Sequence, residues 1–156
     1  MTSPRPGFEL PFLLAGAFRS IVDDLHTELA ERGHPGVRPV HGFALQAIGS
    51  EGASTSELGR RLGVSKQAAA KTAAGLESLG YVTSERDQND ARARTLRRTA
   101  RGDDCLAQSA AVFEQLRAGW VDELGAARVD QLEHDLAAIV EARDQVPLGD
   151  LPGWLR

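Results

Sequence analysis

The sequence predicts a mainly α (α+β) fold with one short β-hairpin. Two observations predict it. Apolar residues recur with a 3.6-residue period over most of the 156 residues. That period changes to 2 over one segment only, Tyr81 to Arg98, which a polar stretch interrupts. Hydrophobic residues at 42% suffice for a core, and aromatics at 5% beside abundant Ala, Leu and Arg favour helices.

The first periodic segment runs from about Phe8 to Arg32, with Phe18, Ile21, Val22, Leu25 and Leu29 on one stripe. Gly33, Pro35 and Gly36 end it. A short apolar helix follows from about Val40 to Ile48, stopped by Gly49 and Gly52. Ser54-Thr55-Ser56-Glu57 is a capping box, in which hydroxyl and carboxylate satisfy the open end of a helix. Leu58 and Leu62 give that helix about two turns before Gly63-Val64-Ser65 breaks it. The next helix opens on Ser65 as N-cap and reaches about Leu79, with Ala69, Ala73 and Leu76 inward and Gly80 closing it.

Tyr81–Arg86 and Arg92–Arg98 are strand candidates around the turn-forming Asp87-Gln88-Asn89-Asp90-Ala91. Thr99 caps a long helix with Asp103 and Asp104 in its first turn, where the helix dipole favours acids. Leu106, Ala110, Phe113, Leu116, Trp120 and Leu124 form its stripe. Beyond Gly125, Val129, Leu132, Leu136, Ile139 and Val140 mark a last helix, and residues 147–156 form an irregular tail rich in Pro and Gly.

The charge is uneven. Ser54 to Arg101 holds ten Lys and Arg against five Asp and Glu, and the remainder holds eight against seventeen, within a net charge of −4. Both lysines, Lys66 and Lys71, fall in the basic segment. Such asymmetry suits a polyanion on one face; taken alone, it equally suits a solvated surface.

Two short helices joined by a tight glycine turn, then a basic hairpin, make a winged helix-turn-helix. The helix from Ser65 would enter the major groove by its N-terminal end. Ser65, Lys66, Gln67, Ala68 and Lys71 would face the DNA: Gln67 can pair an adenine edge, and lysine a guanine or a phosphate. Ala68 and Ala70 offer only small apolar contacts, so part of the specificity would rest on DNA shape. Arg86, Arg92, Arg94, Arg97 and Arg98 would contact phosphate, with Arg92 at the wing tip near the minor groove, braced by Asp87 or Asp90. For any single arginine a solvated hairpin explains the residue as well; the set, beside a capped helix pair, points to double-stranded DNA.

The run from Leu58 to Gly102 resembles the MarR family of winged-helix regulators. SELGRRLGVSKQAAAKTAAGLESLGYV and RDQNDARARTLRRTARG carry the likeness, with Asp87 to Arg92 as the wing signature and Thr99-Ala-Arg-Gly102 as the start of a long helix. The resemblance implies a homodimer with dimerisation helices in 1–36 and 100–146 around a DNA-binding domain in 37–99. It also implies a palindromic operator, more often repressed than activated, and release by a small aromatic or phenolic effector. Arg98 departs from the family, which usually has an apolar residue there. His41, which opens the second helix with Gly42 and Phe43, would border the effector crevice, with Phe12 and Phe18 nearby. Packing at a dimer interface is the other reading of these four residues: Phe12, Phe18, His41 and Phe43.

Other chemistry finds little support. His26, His34, His41 and His134 lack metal-ligand spacing, so no metal or cofactor is expected. Asp23-Asp24, Glu133 and Asp135 suit solvated helix faces, with no nucleophile–base set, so an enzyme is not expected. The lone Cys105 excludes an internal disulfide, reads as inert, and fits a reducing cytoplasm. Glu9 and Pro11 interrupt the N-terminal apolar stretch, which is read as a helix entry, and no apolar run is long enough to span a bilayer. A winged-helix module binding a protein or a small molecule without DNA is the alternative function.

Overall fold

The computed structural model describes residues 5–86 and 94–142. Its elements are α1 (Glu9–Glu31), α2 (Pro39–Ile48), β1 (Ala53–Ser54), α3 (Thr55–Leu62), α4 (Lys66–Ser78), β2 (Val82–Arg86), β3 (Arg94–Arg98), α5 (Ala100–Leu124) and α6 (Ala126–Glu141). The three strands form one antiparallel sheet in the order β1-β3-β2. The hairpin register pairs Val82 with Arg98 and Arg86 with Arg94. Residues 87–93, with Arg92 and its expected braces Asp87 and Asp90, lie outside the described residues.

The expected helices sit within about two residues of their observed bounds. β1 is not expected from periodicity; it pairs Ala53 with Leu96 and Ser54 with Thr95. Two residues are too short to show a period, and Ser54 is also the N-cap of α3.

One core cluster joins α2, α3, α4 and the sheet to the start of α5 through Leu45, Ile48, Leu58, Leu76, Tyr81 and Cys105, all fully or almost fully buried. A second, smaller one joins α1 to α5 through Leu25, Leu29 and Val112. Arg32 reinforces that junction, donating to Gln115 Oε1 at 2.7 Å and Gln108 Oε1 at 3.2 Å. α6 folds back on α5, where Arg117 grips Glu133 through Nε at 2.7 Å and Asp130 through Nη2 at 2.7 Å.

The ends of this helical scaffold are left with uncovered apolar surface. Leu10, Phe12, Leu13 and Leu14 of α1 and Leu132, Leu136, Ile139 and Val140 of α6 are all exposed. Among the described residues, no helix is long and apolar enough to cross a membrane.

Candidate nucleic-acid interface

The α3–turn–α4 unit is built from its caps. Glu57 N–H donates to Ser54 Oγ at 3.1 Å and Ser54 N–H to Glu57 Oε2 at 2.7 Å, closing the capping box. Hydrogen bonding from the Ser54 backbone N–H, and then from its side chain, holds the Glu57 carboxyl below the usual carboxylate range. Gly63 ends α3 in the left-handed region at φ 62°, which a side chain would strain. The crossing is tight: a Cβ on Gly59 would stand 3.1 Å from Val64 O and 3.4 Å from Ala69 Cβ.

Ser65 caps α4, accepting from Ala68 N–H at 3.1 Å. Its hydroxyl hydrogen stays available to an outside acceptor. Ala69, Ala73 and Leu76 are buried, whereas Ser65, Lys66, Gln67, Ala68 and Lys71 are all exposed on the first turns of the helix. Structure therefore brings five of the sequence-derived candidates onto one helix end.

In the hairpin, Arg86 and Arg94 stand opposite each other in register and are both exposed. Arg97 is half exposed and already engaged, its Nε 3.2 Å from Glu85 Oε2 and its Nη1 donating to Glu51 O at 3.1 Å. Arg98 corrects the reading that placed it among the phosphate contacts. It turns inward, with Nε 2.8 Å from Asp103 Oδ1 and Nη1 3.4 Å from Leu45 O. The inward face of β3 meets the first turn of α5 there, so an acid of that turn takes the place of an apolar neighbour. Tyr81, expected in the strand, precedes it.

A second feature is an apolar cavity of about 270 Å³ between α1, α2 and α5. Phe18, Leu25, His26, Phe43, Gln46 and Phe113 are among its lining residues. Of the four residues expected at a crevice, structure brings Phe18 and Phe43 together there and places the other two elsewhere. Phe12 is 73% exposed on the outer face of α1, about two turns before Phe18. His41 is turned into the core on the other side of α2, where Nδ1 accepts from Arg38 N–H at 3.2 Å and Nε2 faces Gly75. It acts as a helix-start cap, a role its position third in the helix permits but periodicity does not disclose. His26, one turn after Val22 on α1, is a polar residue of the cavity that nothing in the local sequence signals.

Burial, with Arg38 and His26 adding smaller effects, pushes the His41 imidazole down to about 4. The unfolded chain therefore binds the extra proton between about pH 6.5 and 4, so stability falls as pH drops through that window. Roughly 3 kcal/mol is at stake. His41→Gln, which can keep the bond from Arg38 without titrating, is expected to flatten urea-unfolding stability between pH 7 and 4.5. An equally steep decline in the variant would show that His41 is not its source.

Cys105 is buried, and burial pushes its thiol up, away from thiolate chemistry. Among the described residues, no group of three His, Cys, Asp or Glu is placed to hold a metal.

This arrangement, a helix-turn-helix with a two-stranded wing set between long helices, defines a winged-helix class. The MarR family model matches residues 36–93, from the approach to α2 to just before β3. The winged-helix segment is thus similar to the MarR family over about a third of the chain. Most of the chain shares the fold of solved structures. YusO from Bacillus subtilis is 21% identical with a TM-score of 0.67, covering 88% of this chain and 99% of that one. A MarR-family transcriptional regulator from Rhodococcus sp. RHA1 is 17% identical with a TM-score of 0.63, covering 88% and 96%. A point mutant of MepR from S. aureus, solved bound to an oligodeoxyribonucleotide, is 14% identical with a TM-score of 0.59, covering 85% and 96%. No curated protein sequence matches the chain.

Proposed function

We propose that the protein is a non-enzymatic, cytoplasmic transcriptional regulator that binds a palindromic duplex DNA site as a homodimer and represses from it. The observation that carries this reading is the first turns of α4. Ser65, Lys66, Gln67, Ala68 and Lys71 are presented outward together while Ala69, Ala73 and Leu76 anchor the helix behind them. Arg86 and Arg94 extend the basic surface along the hairpin, and Arg92 belongs to the same proposed wing contact. Arg97 would serve there only by giving up Glu85. A DNA complex of a protein with the same fold supports the docking.

Domain roles follow: residues 37–99 contact DNA, while 1–36 and 100–146 pair the two copies. The exposed apolar residues of α1 and α6 support that pairing, since faces of this kind are normally covered. The cavity between α1, α2 and α5 supports a small aromatic effector, with Phe18 and Phe43 as its aromatic walls and His26 and Gln46 as polar groups.

Binding of the purified protein to its own upstream intergenic DNA, titrated at several salt concentrations against a scrambled duplex, tests the reading. Lys71→Ala is expected to weaken binding to all duplexes and to flatten the salt slope by about one unit. Gln67→Ala is expected to relax the preference at one base pair by about 1–3 kcal/mol. Unchanged binding in both would remove α4 from the interface. Adding a panel of small phenols and aromatic acids to the complex then tests release.

A further inference from the structure

Where the long helices meet the winged domain, four side chains form a single polar cluster. His34, in the turn after α1, is 2% exposed. Its Nδ1 lies 3.1 Å from Tyr81 Oη and its Nε2 2.8 Å from Asp104 Oδ2. A carboxylate only accepts, so Nε2 carries a proton; in the neutral ring Nδ1 then accepts from the Tyr81 hydroxyl. Arg101, in the first turn of α5, lies 4.9 Å over the Tyr81 ring. Its Nε donates to Leu79 O at 3.2 Å and its Nη2 to Gly33 O at 3.0 Å, with a longer approach of 3.5 Å to Tyr81 Oη.

Leu79 is the C-cap of α4, and Gly33 follows the end of α1. One guanidinium therefore ties the ends of these two helices to the start of a third. A cation at the C-terminus of α4 also meets the negative end of its dipole. On α5, Asp104 stands within one or two turns of Leu106 and Ser109, which line the cavity.

None of the four belongs to the proposed DNA contact or lines the cavity. An apolar cluster would hold the elements together at many relative angles, whereas a hydrogen-bonded network is satisfied in few; here His34 and Tyr81 form its buried end, and Arg101 and Asp104 close it at the surface. We propose that Arg101, Tyr81, His34 and Asp104 are the joint that fixes the angle at which α4 projects from α1 and α5. They are thus positioning residues for the distance between the two DNA half-sites. This rests on the DNA-binding dimer proposed above.

The test uses the full chain, Tyr81→Phe, which removes only the hydroxyl, and Arg101→Gln. DNA selected from random sequence by the wild type supplies the half-site, which is then presented at a series of spacings. Both variants are expected to keep the base preference within each half-site and to lose about 2- to 30-fold in discrimination between spacings. In parallel, spin labels at Ala74→Cys and Glu114→Cys, diluted with unlabelled protein, report the distance between α4 and α5; its distribution is expected to broaden in both variants. Unchanged discrimination and unchanged widths would overturn the joint. If the wild type selects no DNA, the regulator reading falls, and the label distances still decide: broadening keeps the joint, equal widths overturn it. Tyr81→Phe retains the ring in the core and decides the matter even if Arg101→Gln fails to fold.

Discussion

Gly102→Ala is expected to cost about 3 kcal/mol or more, or to prevent folding altogether. Gly102 sits in the first turn of α5, and a Cβ there would overlap the Tyr81 carbonyl oxygen. Neither partner can retreat cheaply. Tyr81 O accepts from Thr99 N–H at 3.0 Å, and the Thr99 hydroxyl both donates to Gly80 O at 2.6 Å and accepts from Gly102 N–H at 3.1 Å. The same Cβ would also reach van der Waals contact with Leu45 at 3.4 Å, in a cluster that is already buried and leaves it little room to move aside. Gly119, later in the same helix, has nothing within 4 Å of its Cβ position, so Gly119→Ala is expected to be neutral or to stabilise by about 0.5–1 kcal/mol. Thermal unfolding of the pair checks this: similar melting temperatures would mean that the helix start can shift away from the sheet.

The second large effect is expected at Gly59, and it separates affinity from stability. Gly59→Ala places a methyl group 3.1 Å from Val64 O, which a shift of a few tenths of an ångström relieves at roughly 1 kcal/mol. Gly59→Val adds branches where the Val64 and Ser65 carbonyls and Ala69 already crowd, and is expected to cost about 3 kcal/mol. The only relief is to pry α4 from α3. In the proposed docking that moves Lys66 and Gln67 relative to the groove, so DNA affinity is expected to fall in the folded fraction too. Urea unfolding beside DNA titration of the same preparation distinguishes the two effects. Full affinity in a destabilised Gly59→Val would show that the crossing angle does not govern binding.

Much of this architecture was legible in the sequence because it is written in local signals. Ser54 with Glu57, Ser65, Thr99 and the glycines at 63 and 125 each announce a helix end within a few residues of chain, and each does so in the structure. The inward stripe of α4 followed from spacing alone. What could not be read was set by distant partners. Arg98 looked like its basic neighbours until Asp103 and Leu45 O claimed it across the sheet–helix junction. His41 differs from its neighbour Phe43 only by which side of α2 it occupies. The His34–Tyr81–Asp104 contact spans residues 47 and 70 apart, and no periodicity connects them.

The plainness of the outward side of α4 has a consequence for engineering. Ala68, Ala70 and Ala74 are exposed and hold none of the core, which Ala69, Ala73 and Leu76 secure from behind. The helix is therefore a nearly blank page on a fixed backing. In the proposed docking, Asn, Arg or Ser written at those three positions would bring new groups toward base edges while the buried side of the helix stays as it is. On that docking the protein is a tractable scaffold for retargeting to a different DNA site.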